Sequence, residues 1–395
     1  MEENELVKYQ SNLVKRVGNV INIANKLLEL GDQKLIPYRK KDKWGFCTAD
    51  KKIVIDCIYF EAKRFSEGLA PVRNGDGFFG FIDEKGNVVF PFKFGKAESF
   101  SNGIAKFNSA PFGPGRSGFI DKRGDVIFSD CDEIFSFCDG LARFSNEHNV
   151  SYQAGSATYS LYGFVNNQGD IIKAAIYSYA RDFSEGFAAV ELDDNKWGYI
   201  NSQGDNVIPQ IYLSATIFSE GLASVQFNDD PKWRWRWVFI DKTGHIAIPD
   251  TDLYHPWHSI FSEGLASVKS SNRYGFIDKQ GNLVIPCIYD LAIGFSEGLA
   301  RVKVKGLWGF IDKLGNVAIP LIYESLCDFS EGLAAVRLHG RWGFINRQGD
   351  LKIPCIYVED SKNEYKFSEG LCKVRVVDRY VGFYINSQGV EYWED

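Results

Sequence analysis

The residues of this chain best suited to acid–base chemistry are the glutamates of a recurring Phe-Ser-Glu-Gly motif: Glu67, Glu185, Glu220, Glu263, Glu297, Glu331 and Glu369. Asn102 and Asp139 hold the same place in two further copies. A catalytic pair of carboxylates needs two different surroundings, so that one group is protonated and the other is not. Glutamates repeated in equivalent surroundings do the opposite, and a structural turn is the expected role. No Gly-rich loop has a phosphate-binding context and no nucleophile elbow is expected. The sequence thus predicts no catalytic residue and no cofactor.

A second chemical feature occurs once. Lys232-Trp233-Arg234-Trp235-Arg236-Trp237 alternates cation and indole, which on a strand puts Trp233, Trp235 and Trp237 on one face and the cations on the other. The segment that follows adds His245, Tyr254, His255, Trp257 and His258. His255, His258 and His245 supply three zinc ligands at best, short of a closed tetrahedral site, so no metal is expected. A local aromatic core and a recognition patch both fit the cluster. Trp and Arg are enriched in interface hot spots, so Trp233, Arg234, Trp235, Arg236, His255, Trp257 and His258 are the candidate partner-binding residues.

What positions these residues is a repeat. The Phe of Phe-Ser-Glu-Gly, or of a close variant, falls at 65, 100, 137, 183, 218, 261, 295, 329 and 367, mostly 34 to 38 residues apart. Between these marks lies a second motif, cleanest from Trp308 to Pro320, followed by Ile-Tyr. Asp312-Lys313-Leu314-Gly315 has the chemistry of a tight turn: a carboxylate to accept backbone N–H bonds and a glycine for positive φ. Phe310-Ile311 and Val317-Ala318-Ile319 are short strands on either side. Ser330-Glu331-Gly332 is another turn, leading into a third strand. Each unit is therefore a three-stranded antiparallel meander too small to bury its own apolar face, and neighbours must stack.

Ten units run from Leu35 onward, with Trp44, Phe79, Ser117, Tyr162, Trp197, Trp237, Tyr274, Trp308, Trp342 and Val381 at one position; Gly follows each except Trp237. The pattern resembles the WG-repeat family of mainly bacterial proteins over about residues 35 to 393, departing at units two, three and ten. The resemblance implies an all-β repeat array and no reaction. The expected fold is all-β: a solenoid-like tandem array over residues 34–395, with a closed β-propeller-like arrangement as the alternative. Residues 1–33 are expected to form an amphipathic helical cap, from the seven-residue spacing of Leu6, Leu13, Val20 and Leu27.

The balance of 45% hydrophobic and 24% charged residues is that of a soluble protein. A net charge of −6 disfavours general nucleic-acid binding, which rests on cationic contacts to phosphate. No apolar run is long enough to span a membrane. The eight cysteines form no CxxC pair, and Cys57, Cys287 and Cys355 share a slot with Ala175, Gln210 and Leu321, which suits packing. A reduced cytoplasmic setting follows. The expected function is a non-catalytic protein-interaction scaffold or adaptor, with modulation of a partner enzyme as one form of that role and a carbohydrate-binding or cell-wall-binding repeat protein as the alternative. Oligomeric state stays open.

Overall fold

The computed structural model describes residues 34–395 except 114, 153–154, 193–194, 228–235, 251–257, 360–364 and 378–381. The helical cap expected over residues 1–33 lies outside these residues. All regular structure among the described residues is β, arranged in nine hydrogen-bonded sheets, eight of four strands and one of six.

The eighth unit shows how a blade is built. Its strands are Leu291–Ser296, Leu299–Val304, Leu307–Ile311 and Val317–Tyr323, each antiparallel to the next. The second and third strands are joined by Lys305-Gly306, both at positive φ (51° and 88°), the two-residue hairpin turn that matches strand twist. The first strand is an addition to the expected three. In several blades it is only two residues, such as Glu61–Ala62 and Ser325–Leu326, too short to carry a hydrophobic period. It follows the preceding blade's last strand after one residue, so each unit hands a strand to its successor.

The glycine of Trp-Gly is fixed by close approach. A Cβ on Gly309 would lie 2.6 Å from the Ile319 carbonyl oxygen, and one on Gly275 2.4 Å from that of Ile285. The fourth strand bulges there, pairing Trp308 with Tyr323 but Phe310 with Ile319. Unit six has Val238 instead, and its fourth strand, Ile246–Ile248, pairs only with Phe239 and Ile240. Among the described residues no fourth-strand partner lies opposite Val238, so the side chain is tolerated.

Blades pack through aromatic pairs. Phe310 of one unit meets Phe329 of the next at 4.8 Å between ring centroids, and Phe276–Phe295, Phe344–Phe367 and Phe239–Phe261 repeat the contact at 4.9 to 5.0 Å. Each such tilted or T-shaped pair adds about 0.5–1.5 kcal/mol beyond its buried area. The core is correspondingly a chain of clusters across the seams: Leu299, Phe310 and Ile319 pack with Phe329, Ala334 and Ile345 of the following blade.

Polar latches run beside these aromatics. Ser-Glu-Gly-Leu is a hairpin turn with both central residues left-handed, for example Glu263 at φ 53° and Gly264 at φ 89°. That conformation suits Asn, Asp or Gly and costs a glutamate. The compensation lies across the seam. Both oxygens of Glu263 accept from the Gly298 amide at 3.1 and 3.0 Å, and Lys313 lies 3.1 Å away. Glu67 engages Gly103 and Lys122, Glu185 engages Gly221 and Lys242, and Glu220 engages Gly264 and Lys279 in the same way. The neighbouring serine donates to the next motif's Phe carbonyl, as Ser66 to Phe100 at 2.6 Å and Ser219 to Phe261 at 2.7 Å.

The array closes on itself. Glu391–Glu394 pairs with its own unit through Tyr384 and Ile385, then runs parallel to the first unit's Ile36–Lys40 through Arg39↔Trp393 and Lys40↔Glu394. It thereby stands beside the first unit at the place that the short first strand takes in units two to nine, though parallel where those are antiparallel. Ion pairs Lys40–Glu394 and Lys34–Glu369, both 2.7 Å, flank the joint. Ten sequence units give nine sheets because the first and last share one. The fold is a closed nine-bladed β-propeller ring, the alternative to the solenoid-like array expected first.

Two outcomes follow for stability. Glu67, held mainly by its hydrogen bond from Lys122, titrates below the ordinary value of 4.5; so do Glu185, Glu220 and Glu263, where lysine and glycine bonds outweigh the opposing effect of partial burial. Depressed folded-state values mean that this stabilisation is complete above pH 4.5 and is lost as pH falls through and below it. Thermal melts are therefore expected to be flat near neutrality and to drop below about pH 4.5, less steeply in 1 M salt. Among variants, Glu297→Gln should cost under about 1 kcal/mol, because its bond to Gly332 is long at 3.4 Å, whereas Gly298→Val at φ 82° should cost more than about 1 kcal/mol by chemical denaturation. Removing Glu391–Asp395 should lower the melting temperature and raise the radius of gyration measured by scattering.

Candidate partner-binding surfaces

The sequence-selected cluster of unit six is only partly within the described residues. Trp233, Arg234, Trp235, His255 and Trp257 lie outside them. Arg236 begins the strand Arg236–Asp241 opposite Phe227 and is half-buried. Trp237 is buried as in other units. His258 is exposed at φ 51° and packs its ring on Trp237 at 4.6 Å between centroids. Its pKa is lowered, first by desolvation and then by the Arg181 charge, which favours a neutral imidazole near pH 7. His245 is committed to its turn: its backbone N–H donates to Asp241 at 3.1 Å, and its Nδ1 lies 2.6 Å from the Thr243 hydroxyl. Among the described residues no three His, Cys, Asp or Glu side chains converge on a metal position.

The repeated acids are consumed by structure. Asp312 Oδ1 accepts from the amides of Leu314 and Asn316, both at 2.9 Å, and Asp83, Asp121 and Asp278 repeat this turn. Two motif spellings that the sequence reading passed over have the same fate. Gly294-Phe295-Ser296-Glu297-Gly298 spells GxSxG, but the Ser296 hydroxyl donates to the Phe329 carbonyl at 3.3 Å as an inter-blade latch. Gly75–Gly80 and Gly113–Gly118 spell GxGxxG, yet Gly80 and Gly118 are the Trp-Gly glycines of strands Phe79–Asp83 and Ser117–Asp121. All eight cysteines are free thiols. Burial pushes Cys47, Cys131 and Cys372 up to about 12, so they are poor nucleophiles.

Two surfaces remain. The fourth strand of each blade is its exposed edge, and the isoleucine of Ile-Tyr stands out from it. Ile58, Ile176, Ile211, Ile288, Ile322 and Ile356 are between 46% and 62% exposed. Most of these strands carry a proline near their centre, such as Pro286, Pro320 and Pro354, which withholds a backbone donor from any strand seeking to add to the edge.

The other surface is a groove at the seam between units three and four. Two adjoining cavities of about 470 and 550 Å³ share Glu98 and Lys106, which pair at 3.1 Å. The first exists because the Trp–Tyr pair of other blades is here Ser117 opposite Cys131. The second is lined by Ser101, Asn102, Phe137, Gly140 and Asn167. Sequence reasoning missed this groove, although its signals were visible: serine at the Trp position and Asn102 at the glutamate position.

No helix among the described residues is long and apolar enough to cross a membrane. No curated protein matches the sequence. Among solved structures, the chain is similar to the apo form of AztD from Citrobacter koseri, at 10% identity and a TM-score of 0.37 over 70% of this chain and 90% of that one. It is also similar to BamB from Moraxella catarrhalis, at 9% identity and 0.28 over 69% and 93%, and to Hsv2p from Kluyveromyces lactis, at 9% and 0.35 over 62% and 89%. Likeness this distant carries no argument about function. The family model described as WG containing repeat matches residues 44–78, 79–108, 118–147, 162–197, 197–229, 274–308, 308–342 and 342–380. Segment 230–273, the heart of unit six, is the internal stretch it passes over at greatest length. With most of the chain matched and each match opening at or beside the Trp-Gly pair, the chain belongs to the WG containing repeat family.

Proposed function

We propose that this protein is a non-catalytic protein-interaction scaffold or adaptor, able to modulate a partner enzyme by holding it. The observation that carries the reading is the isoleucine in the same slot of six blade edges, each about half exposed. Isolated surface aliphatics need no explanation. Recurrence in one register position around a ring does, because polar residues would satisfy the fold equally well there. The edge prolines favour docking through side chains over strand addition. The unmatched unit six, with Trp233, Arg234, Trp235, Arg236, His255, Trp257 and His258, supplies specificity within the same reading. The eight free thiols suit a reducing compartment such as the cytoplasm.

A carbohydrate-binding role needs aromatic faces open to sugar, whereas Trp44, Trp197, Trp237 and Trp342 are buried. Soluble polysaccharide should therefore leave tryptophan fluorescence unchanged.

The test of the scaffold reading is cross-linking and affinity capture with the full chain, followed by reconstitution with the purified partner. Ile288→Lys, Ile322→Lys and Ile356→Lys together should weaken partner binding by about 2 kcal/mol or more, with the melting temperature nearly unchanged. Undiminished binding by this triple variant, and by a Trp233→Ala, Trp235→Ala variant, would refute it.

A further inference from the structure

We infer that the groove between units three and four is a binding site for an extended peptide segment of a partner, anchored by an acidic side chain at the Gly140 amide. The inference deepens the scaffold reading and rests on it.

The protein supplies its own template. At the seams after units two, five, six and seven, a glutamate carboxylate occupies one spot, bonded to the next blade's Gly amide and to a lysine of the next blade's Asp turn. At the seam after unit three the glutamate, the lysine and the serine latch are altered and the donor glycine is kept. Asn102, at φ 52°, stands in place of the glutamate and Asn167 in place of the lysine. Gly140 is exposed, and among the described residues nothing accepts from its N–H. Ser101 does not latch to Phe137, unlike Ser66 to Phe100 or Ser330 to Phe367. The backbone still has the left-handed geometry that aims Gly103 or Gly298 at a carboxylate; Asp139 and Gly140 lie at φ 50° and 80°. The donor amide is kept while the carboxylate, the lysine and the serine latch are not.

What surrounds the vacant amide suits an acid from outside. Asn102, Asn167 and Ser101 line the cavity and carry side-chain donors; Lys106 also lines it but is paired with Glu98, so hydrogen bonds rather than net charge would anchor the acid. Asp139 also lines it, but its carboxylate is engaged with the Gly186 amide at 2.9 Å. Length selects a peptide over a small acid. The first cavity continues the groove past Phe107, Asn108 and Ser117 to the acidic Glu133 and Glu147, offering backbone and side-chain contacts that a free dicarboxylate leaves unused.

The test uses the full chain labelled with ¹⁵N, titrated with acetyl-Gly-Ser-Glu-Gly-Ser-amide, its Gln counterpart and glutarate. The Glu peptide should shift Gly140, Asn102 and Asn167 together with Asn108 and Ser117 in the first cavity. The Gln peptide should bind about tenfold more weakly, the effect of losing one charge-assisted hydrogen bond. Asn102→Glu restores the internal carboxylate. It should raise the melting temperature and reduce Glu-peptide affinity about tenfold or more. Equal binding of Glu and Gln peptides, or unchanged affinity in Asn102→Glu, overturns the carboxylate assignment. Glutarate binding as tightly as the peptide overturns the peptide assignment in favour of a small acid. Partner capture lost in the isoleucine variant but kept in Asn102→Glu would sink this site while leaving the scaffold standing; loss in neither would sink both.

Discussion

One turn holds this ring together: a hairpin whose first left-handed residue is a glutamate. The conformation is unfavourable for that side chain, and an asparagine would be the cheaper choice for the hairpin alone. The glutamate is long enough to reach the amide of the next blade's equivalent glycine, which asparagine at position 102 does not do. Local strain is thus exchanged for order between blades. Because the donor glycine belongs to the same turn in the next blade, the turns of Glu185, Glu220, Glu263, Glu297 and Glu331 both accept and donate, and their seams form a relay along much of the ring.

The relay explains why the chemistry of this chain is so poor in candidates. Its carboxylates, hydroxyls and turn aspartates are already bonded within the fold, and its thiols are packed or half-packed beneath strands. What remains available is surface that the repeat leaves unexplained: aliphatics on proline-bearing edges, the unmatched unit six, and the seam where the relay lapses.

The strands, both kinds of turn and the location of Trp-Gly were legible in the sequence, because each rests on local chemistry. Asp312 and Gly315 carry their own turn wherever they occur, and Phe-Ser-Glu-Gly carries its own hairpin. Closure was not legible, since it depends on Trp393 and Glu394 finding Arg39 and Lys40, and nothing in either segment encodes the other's distance. The two-residue first strands escaped because two residues have no period. The groove escaped for a different reason: its signal is the absence of motif residues, Ser117 for Trp and Asn102 for Glu, and a search for what repeats discounts what departs. Unit six was singled out by the opposite logic, from what it adds, and Trp237 with His258 shows aromatic packing at its described margin.

The closing joint also sets an order of events during folding. Latches within the relay link residues 35 apart, as Glu263 to Gly298, whereas the ion pair beside the joint links residues 335 apart. Loop-closure entropy grows as the logarithm of loop length, so this tenfold separation adds about 2 kcal/mol of entropic cost if the chain between is unstructured. That penalty shrinks if the intervening blades have already stacked and curve the ends toward each other. Nucleation within and between adjacent blades, followed by propagation along an open arc and late annealing of the joint, is the route of least entropy loss. A population of arcs with one unpaired edge at each end would then precede the ring.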